Sequence, residues 1–138
     1  MSKNILILCT GNSCRSQIAD GYLSAFSPIG TTVYSAGVET HGVNPLAIRT
    51  MAEDGIDLSS HTSNHVDEYS GIEFDYIITV CDHAKERCPY FPSKALRFHK
   101  NFPDPAKAIG SDDEISAHFS EVRDLIKRYC KEFISAYL

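Results

Sequence analysis

A chain of 138 residues with 43% hydrophobic and 22% charged content has the size and balance of one globular domain with its own core. Its formal charge of −5 lacks the basic face of a general nucleic-acid binder. The N-terminal apolar run, Ile5 to Leu8, is too short for a secretory leader, and no stretch approaches a membrane span. A single domain over residues 1–138 is therefore expected, cytoplasmic and monomeric, with neither nucleic acid nor membrane as partner.

Lys3 to Leu8 is a nearly continuous apolar strand, the pattern of a central parallel strand. Ser16 to Phe26 follows as a helix, with Ile18, Ala19, Tyr22, Leu23 and Phe26 at helical spacing. Pro28 and Gly30 end it, and Thr31 to Tyr34 is a second strand. Asn44-Pro45 reads as an N-cap with proline at the first helical position, starting a helix that runs to about Asp54 with Gly55 as its stop. Thr62 or Ser63 is expected to cap a short helix containing His65, Val66 and Tyr69. Phe74 to Val80 is the next strand, with Cys81 at its end. Asp82 would cap a helical segment through Ala84, Lys85 and Glu86, limited by Pro89. Lys94 to His99 is a weaker strand, followed by the turn Phe102-Pro103-Asp104-Pro105. Asp112 to about Tyr137 is a long amphipathic helix.

Strands alternating with helices imply an α/β fold, a central four-stranded parallel sheet with helices on both faces and function at the carboxyl ends of its strands. Cys9, Ser35, Cys81 and the segment around Asp104 all follow predicted strands and are expected to meet at one edge. The stretch Cys9-Thr10-Gly11-Asn12-Ser13-Cys14-Arg15-Ser16 stands directly behind the first strand. Its small residues, Thr10, Gly11, Asn12 and Ser13, let a loop curl so that backbone N–H groups form an anion-binding nest. A helix starting at Ser16 adds its positive end, and Arg15 can fork two oxygens of a tetrahedral anion. Cys9 beneath that anion would be held as a thiolate, with Ser16 able to donate to the sulfur. The plain alternative is a βα turn with a buried cysteine. No Gly-Lys-Ser/Thr follows, so the loop is not a nucleotide P-loop.

Five cysteines, an odd number in a reducing compartment, speak for chemistry or metal binding rather than a disulfide framework. Cys81 and Cys88 would lie roughly 10.5 Å apart along a continuous helix, beyond the reach of a disulfide, and could bond only if the segment unwound. That spacing allows a redox switch, two passive thiols, or a zinc site with His83 and His61, although the paired Cys-x2-Cys spacing of zinc sites is absent. Asp104, held between two prolines, is either an ordinary turn residue or a rigidly aimed carboxyl. Near an anion such a carboxyl would be raised in pKa and could give a proton to a leaving oxygen.

Residues 9–17 (CTGNSCRSQ), 33–45 (VYSAGVETHGVNP), 61–63 (HTS), 79–81 (TVC), 88–89 (CP) and 104–106 (DPA) together resemble the thioredoxin-coupled arsenate reductases. These share the low-molecular-weight protein tyrosine phosphatase fold, and the resemblance spans nearly the whole chain in order. It implies that Thr10, Gly11, Asn12, Ser13, Cys14 and Arg15 bind arsenate, with phosphate or sulfate able to occupy the same loop. It further implies that Cys9 attacks arsenic, Asp104 protonates the departing oxygen and Ser16 stabilises the thiolate. Cys81 and then Cys88 would carry the disulfide outward to thioredoxin. Cys14 matches a loop cysteine of both relatives and is expected to be dispensable; Cys130, on the last helix, is assigned to packing or to the surface. No tightly bound cofactor is implied.

Some relatives hold potassium beside the loop at positions matching Asn12, Ser35 and Thr62. Here Asp20 stands where glutamate is typical and Asn64 where aspartate is typical, which weakens the field around a cation. Two further readings stay open: a phosphatase working through a Cys9 phosphocysteine, and a non-catalytic redox or oxyanion sensor. The Cys81/Cys88 pair favours reduction, which needs two electrons. Ala106 and Lys107 after Asp104-Pro105, in place of an aromatic pair, also disfavour a phosphotyrosine cleft.

Overall fold

The computed structural model describes residues 2–82 and 88–138. Strands β1 (Lys3–Leu8), β2 (Thr31–Ala36), β3 (Tyr76–Thr79) and β4 (Leu96–His99) form one sheet in the order β2-β1-β3-β4. All three pairings are parallel. The strand order reverses beside β1, which places its carboxyl end at the switch point where open α/β sheets bind ligands. Leu8 pairs with Ala36 on one side and Thr79 on the other, so three strands end level around the residue that precedes Cys9.

Alternation along β1 splits the core in two. Ile5 and Ile7 face helices α1 (Arg15–Phe26), α2 (Pro45–Ala52) and α3 (Asp112–Tyr137), which supply Ile18, Tyr22, Met51, Phe119, Ile126 and Phe133 to one cluster. Leu6 and Leu8 face the other way, with Ala36 and Ile77, beneath Val66, Phe74 and Phe91. The expected parallel sheet with helices on both faces is thus present. Among the described residues the second face carries the 3-10 turn Val66–Tyr69 rather than an α-helix. Right-handed crossovers put α1, in the β1-to-β2 connection, and the 3-10 turn, in the oppositely directed β2-to-β3 connection, on opposite faces.

Several boundaries differ from expectation. Strand β2 extends two residues further, because Ser35 and Ala36 continue the pairing with Ile7 and Leu8. Ser35 therefore lies within a strand rather than after it. The 3-10 turn is capped by His65, whose Nδ1 accepts from Asp67 N, with Glu68 closing the box, and not by Thr62 or Ser63. Helix α1 begins one residue early, at Arg15. The Asn44 cap is as read: its Oδ1 accepts from Leu46 N at 2.8 Å. The helix expected after Asp82 lies outside the described residues.

Long-range polar contacts lock α3 to α1 and α2. Tyr22 donates its hydroxyl to Asp54 Oδ2 at 2.7 Å, and Lys127 Nζ reaches the same oxygen at 2.8 Å. The Lys127 and Tyr22 hydrogen bonds hold the Asp54 carboxyl below the usual carboxylate range. A group lowered on folding adds stability above its unfolded pKa of about 3.9 and loses it as pH falls through the folded value. Asp54→Asn should therefore cost about 1 kcal/mol at pH 7, the scale of a screened, partly exposed pair. The difference in urea-unfolding free energy should shrink progressively below about pH 4. A pH-independent loss would mean that packing rather than charge holds this contact.

Candidate active site

Between the end of β1 and the start of α1, residues 9–14 turn over the switch point. Every carbonyl from Thr10 to Ser13 accepts a hydrogen bond from outside the loop. Glu39 N donates to Thr10 O at 3.1 Å, His41 N to Gly11 O at 3.2 Å and Asn44 N to Ser13 O at 3.1 Å. Ser63 Oγ lies 3.0 Å from Gly11 O and 2.9 Å from Asn12 O, sharing its one proton between them, and Gln17 Nε2 donates to Asn12 O at 3.1 Å. In a planar trans peptide the N–H points opposite the C=O. Holding these carbonyls outward therefore aims the amides of Gly11, Asn12, Ser13 and Cys14 at the loop's centre.

Two local features make the curl possible. Asn12 adopts a left-handed backbone, φ 48°, a region that asparagine tolerates better than most residues. Its side chain is buried and fixed at both ends: Oδ1 accepts from Asn64 N and Nδ2 donates to Ser16 Oγ, each at 2.8 Å. Gly37, just past β2, lets the strap of residues 37–44 run against the loop; a Cβ there would collide with the carbonyl oxygens of Thr10 and Cys9.

A cavity of about 340 Å³ opens over this loop, lined by Cys9, Arg15, Asp104, Glu39, His41 and Lys107 among others. Cys9 sits at its floor, 3% exposed. The guanidinium of Arg15, also buried, donates to Phe102 O at 3.3 Å, and its NH2 stands 3.6 Å from Asp104 Oδ2. The other Asp104 oxygen caps the 3-10 turn Pro105–Lys107 by accepting from Ala106 N. The Asp104 carboxyl therefore lines the cavity beside Arg15. Burial pushes the Cys14 thiol up to about 12, with the Asp104 and Cys9 charges adding to it and Ser13 and Arg15 opposing. Cys14 is a thiol at neutral pH.

The second pair of cysteines is bonded. Cys81 and Cys88 form a disulfide with Cα atoms 5.9 Å apart, while Cys9, Cys14 and Cys130 are buried and outside any disulfide. The β1–β3 pairing continues past the strand ends, Val80 N donating to Leu8 O. Cys81 Sγ consequently rests 4.0 Å from the Leu8 carbonyl, at the root of the Cys9 loop. Cys81 and Cys88 are committed to the bridge, His83 of the zinc reading lies outside the described residues, and no cluster of three metal-binding side chains occurs among the described residues. Burial also drives Cys130 up to about 12, as expected of a packing residue.

The low molecular weight phosphotyrosine protein phosphatase family model matches residues 4–137. Within it, the arsenate reductase of Halalkalibacterium halodurans is 48% identical over 131 residues, covering 95% of this chain and 94% of the relative. The chain belongs to the arsenate reductase branch of this family. The arsenate reductase of Bacillus subtilis strain 168 is 45% identical over 96% of this chain and 95% of its own. A solved arsenate reductase in its phosphate-binding state superposes with a TM-score of 0.80 at 27% identity, covering 100% of both chains.

The side chains that the resemblance associates with potassium do not all line one cavity. Ser35 and Thr62 line one cavity of about 300 Å³ with Asp20 and Asn64. Asn12 is not among its lining residues, its side-chain oxygen being committed to Asn64 N. Burial raises the Asp20 pKa, with Ser24, His61 and Ser35 opposing, and the Asn64 amide oxygen takes the Thr62 hydroxyl at 2.9 Å. This cavity offers one carboxylate, Asp20, beside the neutral oxygens of Ser35, Thr62 and Asn64.

Sequence reading located Cys9, Arg15, Cys81, Cys88 and Asp104 but not the residues that hold the loop open. Gln17 and Ser63 had a readable signal only as polar residues beside it. Removing the shared Ser63 donor should raise the Kd for phosphate about tenfold, roughly 1.4 kcal/mol, in Ser63→Ala. Isothermal titration checks this; an unchanged Kd would show that the outward carbonyls do not set the amides.

Proposed function

We propose that this chain reduces arsenate to arsenite by a three-cysteine relay and is regenerated by thioredoxin. The observation that carries the reading is the arrangement of the cysteines: Cys81 and Cys88 are bridged at the root of the Cys9 loop, and Cys9 stands outside that bridge. That is the arrangement a completed relay leaves behind.

The inward amides, the start of α1 and Arg15 hold both the arsenate oxyanion and the Cys9 thiolate. Ser16 Oγ accepts from Asn12 Nδ2, which leaves its own proton to stabilise the Cys9 thiolate. Cys9 attacks arsenic(V), and Asp104 supplies the proton with which one oxygen leaves as water. The thiolate of Cys81 then attacks the Cys9 sulfur. The sulfur–arsenic bond breaks, and its electron pair stays on arsenic, which departs as arsenite. Cys9 and Cys81 are now joined. Cys88 attacks Cys81, frees Cys9 and leaves the Cys81–Cys88 bridge, each step being ordinary thiol–disulfide exchange. Cys81 is fully buried whereas Cys88 is partly exposed, so the external reductant attacks Cys88. Cys14 is kept out of this sequence by its raised pKa, which leaves almost no thiolate at neutral pH.

Hydrolysis of a phosphate ester would use the same loop but gives Cys81 and Cys88 no work. The assay that separates the two is arsenate-dependent NADPH oxidation with thioredoxin and thioredoxin reductase. Cys81→Ser should lose multiple turnover by at least about 10³-fold, because no second thiol can release arsenite, while still binding phosphate. Normal arsenate reduction by Cys81→Ser, or phosphatase turnover with no arsenate reduction in the wild type, would refute the relay.

A further inference from the structure

Two of the groups that hold the Arg15 guanidinium belong to one short segment. The Phe102 carbonyl accepts from Nη1 at 3.3 Å, and Asp104 Oδ2 stands 3.6 Å from Nη2. A ring keeps that segment in place. The Phe102 side chain is buried in the core cluster on the α1 and α3 side of the sheet. Tyr129 of α3 meets it edge-on, with ring centroids 5.8 Å apart and planes at 76°. Helix α3 also packs against the turn Pro105–Lys107 that follows Asp104. The next residue of the helix, Cys130, donates its thiol to Ala19 O of α1 at 3.8 Å, about one turn beyond Arg15. Adjacent residues of α3 thus brace both the helix that carries Arg15 and the segment that holds its head. Tyr129 itself does not line the cavity over Cys9.

We propose that Tyr129, acting through the Phe102 ring, is a positioning residue that aims the Arg15 guanidinium at the bound oxyanion. The inference rests on reading residues 9–15 as an oxyanion cradle, and it adds a part that never touches the anion. An edge-on aromatic pair fixes both the separation and the tilt of its two rings. The Phe102 ring and the carbonyl that meets Arg15 belong to one residue, so holding the ring holds the carbonyl. At 3.3 Å that hydrogen bond is already at the long end for N–H···O, and a small further shift weakens it. Arg15 then turns out of the plane in which two of its N–H groups match two oxygens of a tetrahedral anion. The anion loses this fork and keeps the loop amides. Loss of the Tyr129 ring therefore weakens binding without abolishing it, and loss of the hydroxyl alone leaves the ring contact in place.

Isothermal titration of the full chain with inorganic phosphate tests this. Tyr129→Leu should raise the Kd about fivefold with the binding stoichiometry unchanged, whereas Tyr129→Phe should stay within about twofold of wild type. Phe102→Leu removes the other ring of the pair and should raise the Kd by a similar factor. The double variant should bind no more than about twofold more weakly than the weaker single variant, because both substitutions break one contact. Phe133→Leu is the packing control. It lies on the same helix and loses edge-on contacts with Tyr76 and Phe98 at 5.3 and 5.1 Å. Its thermal midpoint should fall while its phosphate Kd stays within about twofold of wild type. An unchanged Kd in both Tyr129→Leu and Phe102→Leu would overturn the proposal, as would an equal rise in Phe133→Leu. A lowered stoichiometry at unchanged Kd, or fully additive losses in the double variant, would assign the ring pair to stability alone and overturn it too. Wild-type protein that binds no phosphate would overturn the cradle reading and this inference together. Failure of the wild type to reduce arsenate would overturn the reductase reading and leave the phosphate affinities to decide the role of Tyr129.

Discussion

Everything at this site depends on the outward pull on the carbonyls of Thr10 to Ser13. Free peptide in such a tight turn has no reason to point four successive amides the same way. Here the strap of residues 37–44 supplies three backbone donors, and Ser63 and Gln17 supply two side chains. Each bond is worth about 1 kcal/mol net, yet together they fix a geometry that an anion then finds ready made. Gly37 and the left-handed Asn12 are consequences of the same constraint. One permits the strap to approach; the other lets the chain turn within its reach.

The sheet supplies the second half of the chemistry. Because β1 lies between β2 and β3, the residue after β1 and the residues after β3 emerge side by side. Cys9 and Cys81 are 72 positions apart in sequence and still belong to one neighbourhood, tied through Leu8 O. Burial keeps the roles separate. Cys14, inside the loop, is raised to about 12, whereas Cys88 is partly exposed. An oxyanion cradle alone serves hydrolysis and reduction equally. The thiol pair next to it selects reduction.

Much of this was legible in the sequence because it is local. The apolar run before Cys9, the small residues of the loop, the Asn44-Pro45 cap and the prolines around Asp104 each act over a few positions. The long α3 helix likewise announces itself by its periodicity and its Ser111 and Glu114 capping box. What stayed hidden is long-range. The donors from Glu39, His41 and Asn44 are backbone groups with no side-chain signature, and Ser63 reaches the loop across 52 and 51 positions. The end of β2 was underestimated because Ser35 and Ala36 look like turn residues until they are paired with Ile7 and Leu8. His65 rather than Thr62 caps the 3-10 turn: its Nδ1 accepts from Asp67 N, while Thr62 donates its hydroxyl to Asn64 Oδ1.

The most direct measurement is the order in which disulfides form during one arsenate turnover. Reduced protein is mixed with arsenate, quenched with an alkylating agent at successive times and mapped by mass spectrometry. The relay predicts a Cys9–Cys81 bridge first, then a Cys81–Cys88 bridge with Cys9 alkylated and one arsenite released per bridge. Arsenite release with Cys81 and Cys88 both alkylated throughout, or a bridge confined to Cys9 and Cys14, would contradict it.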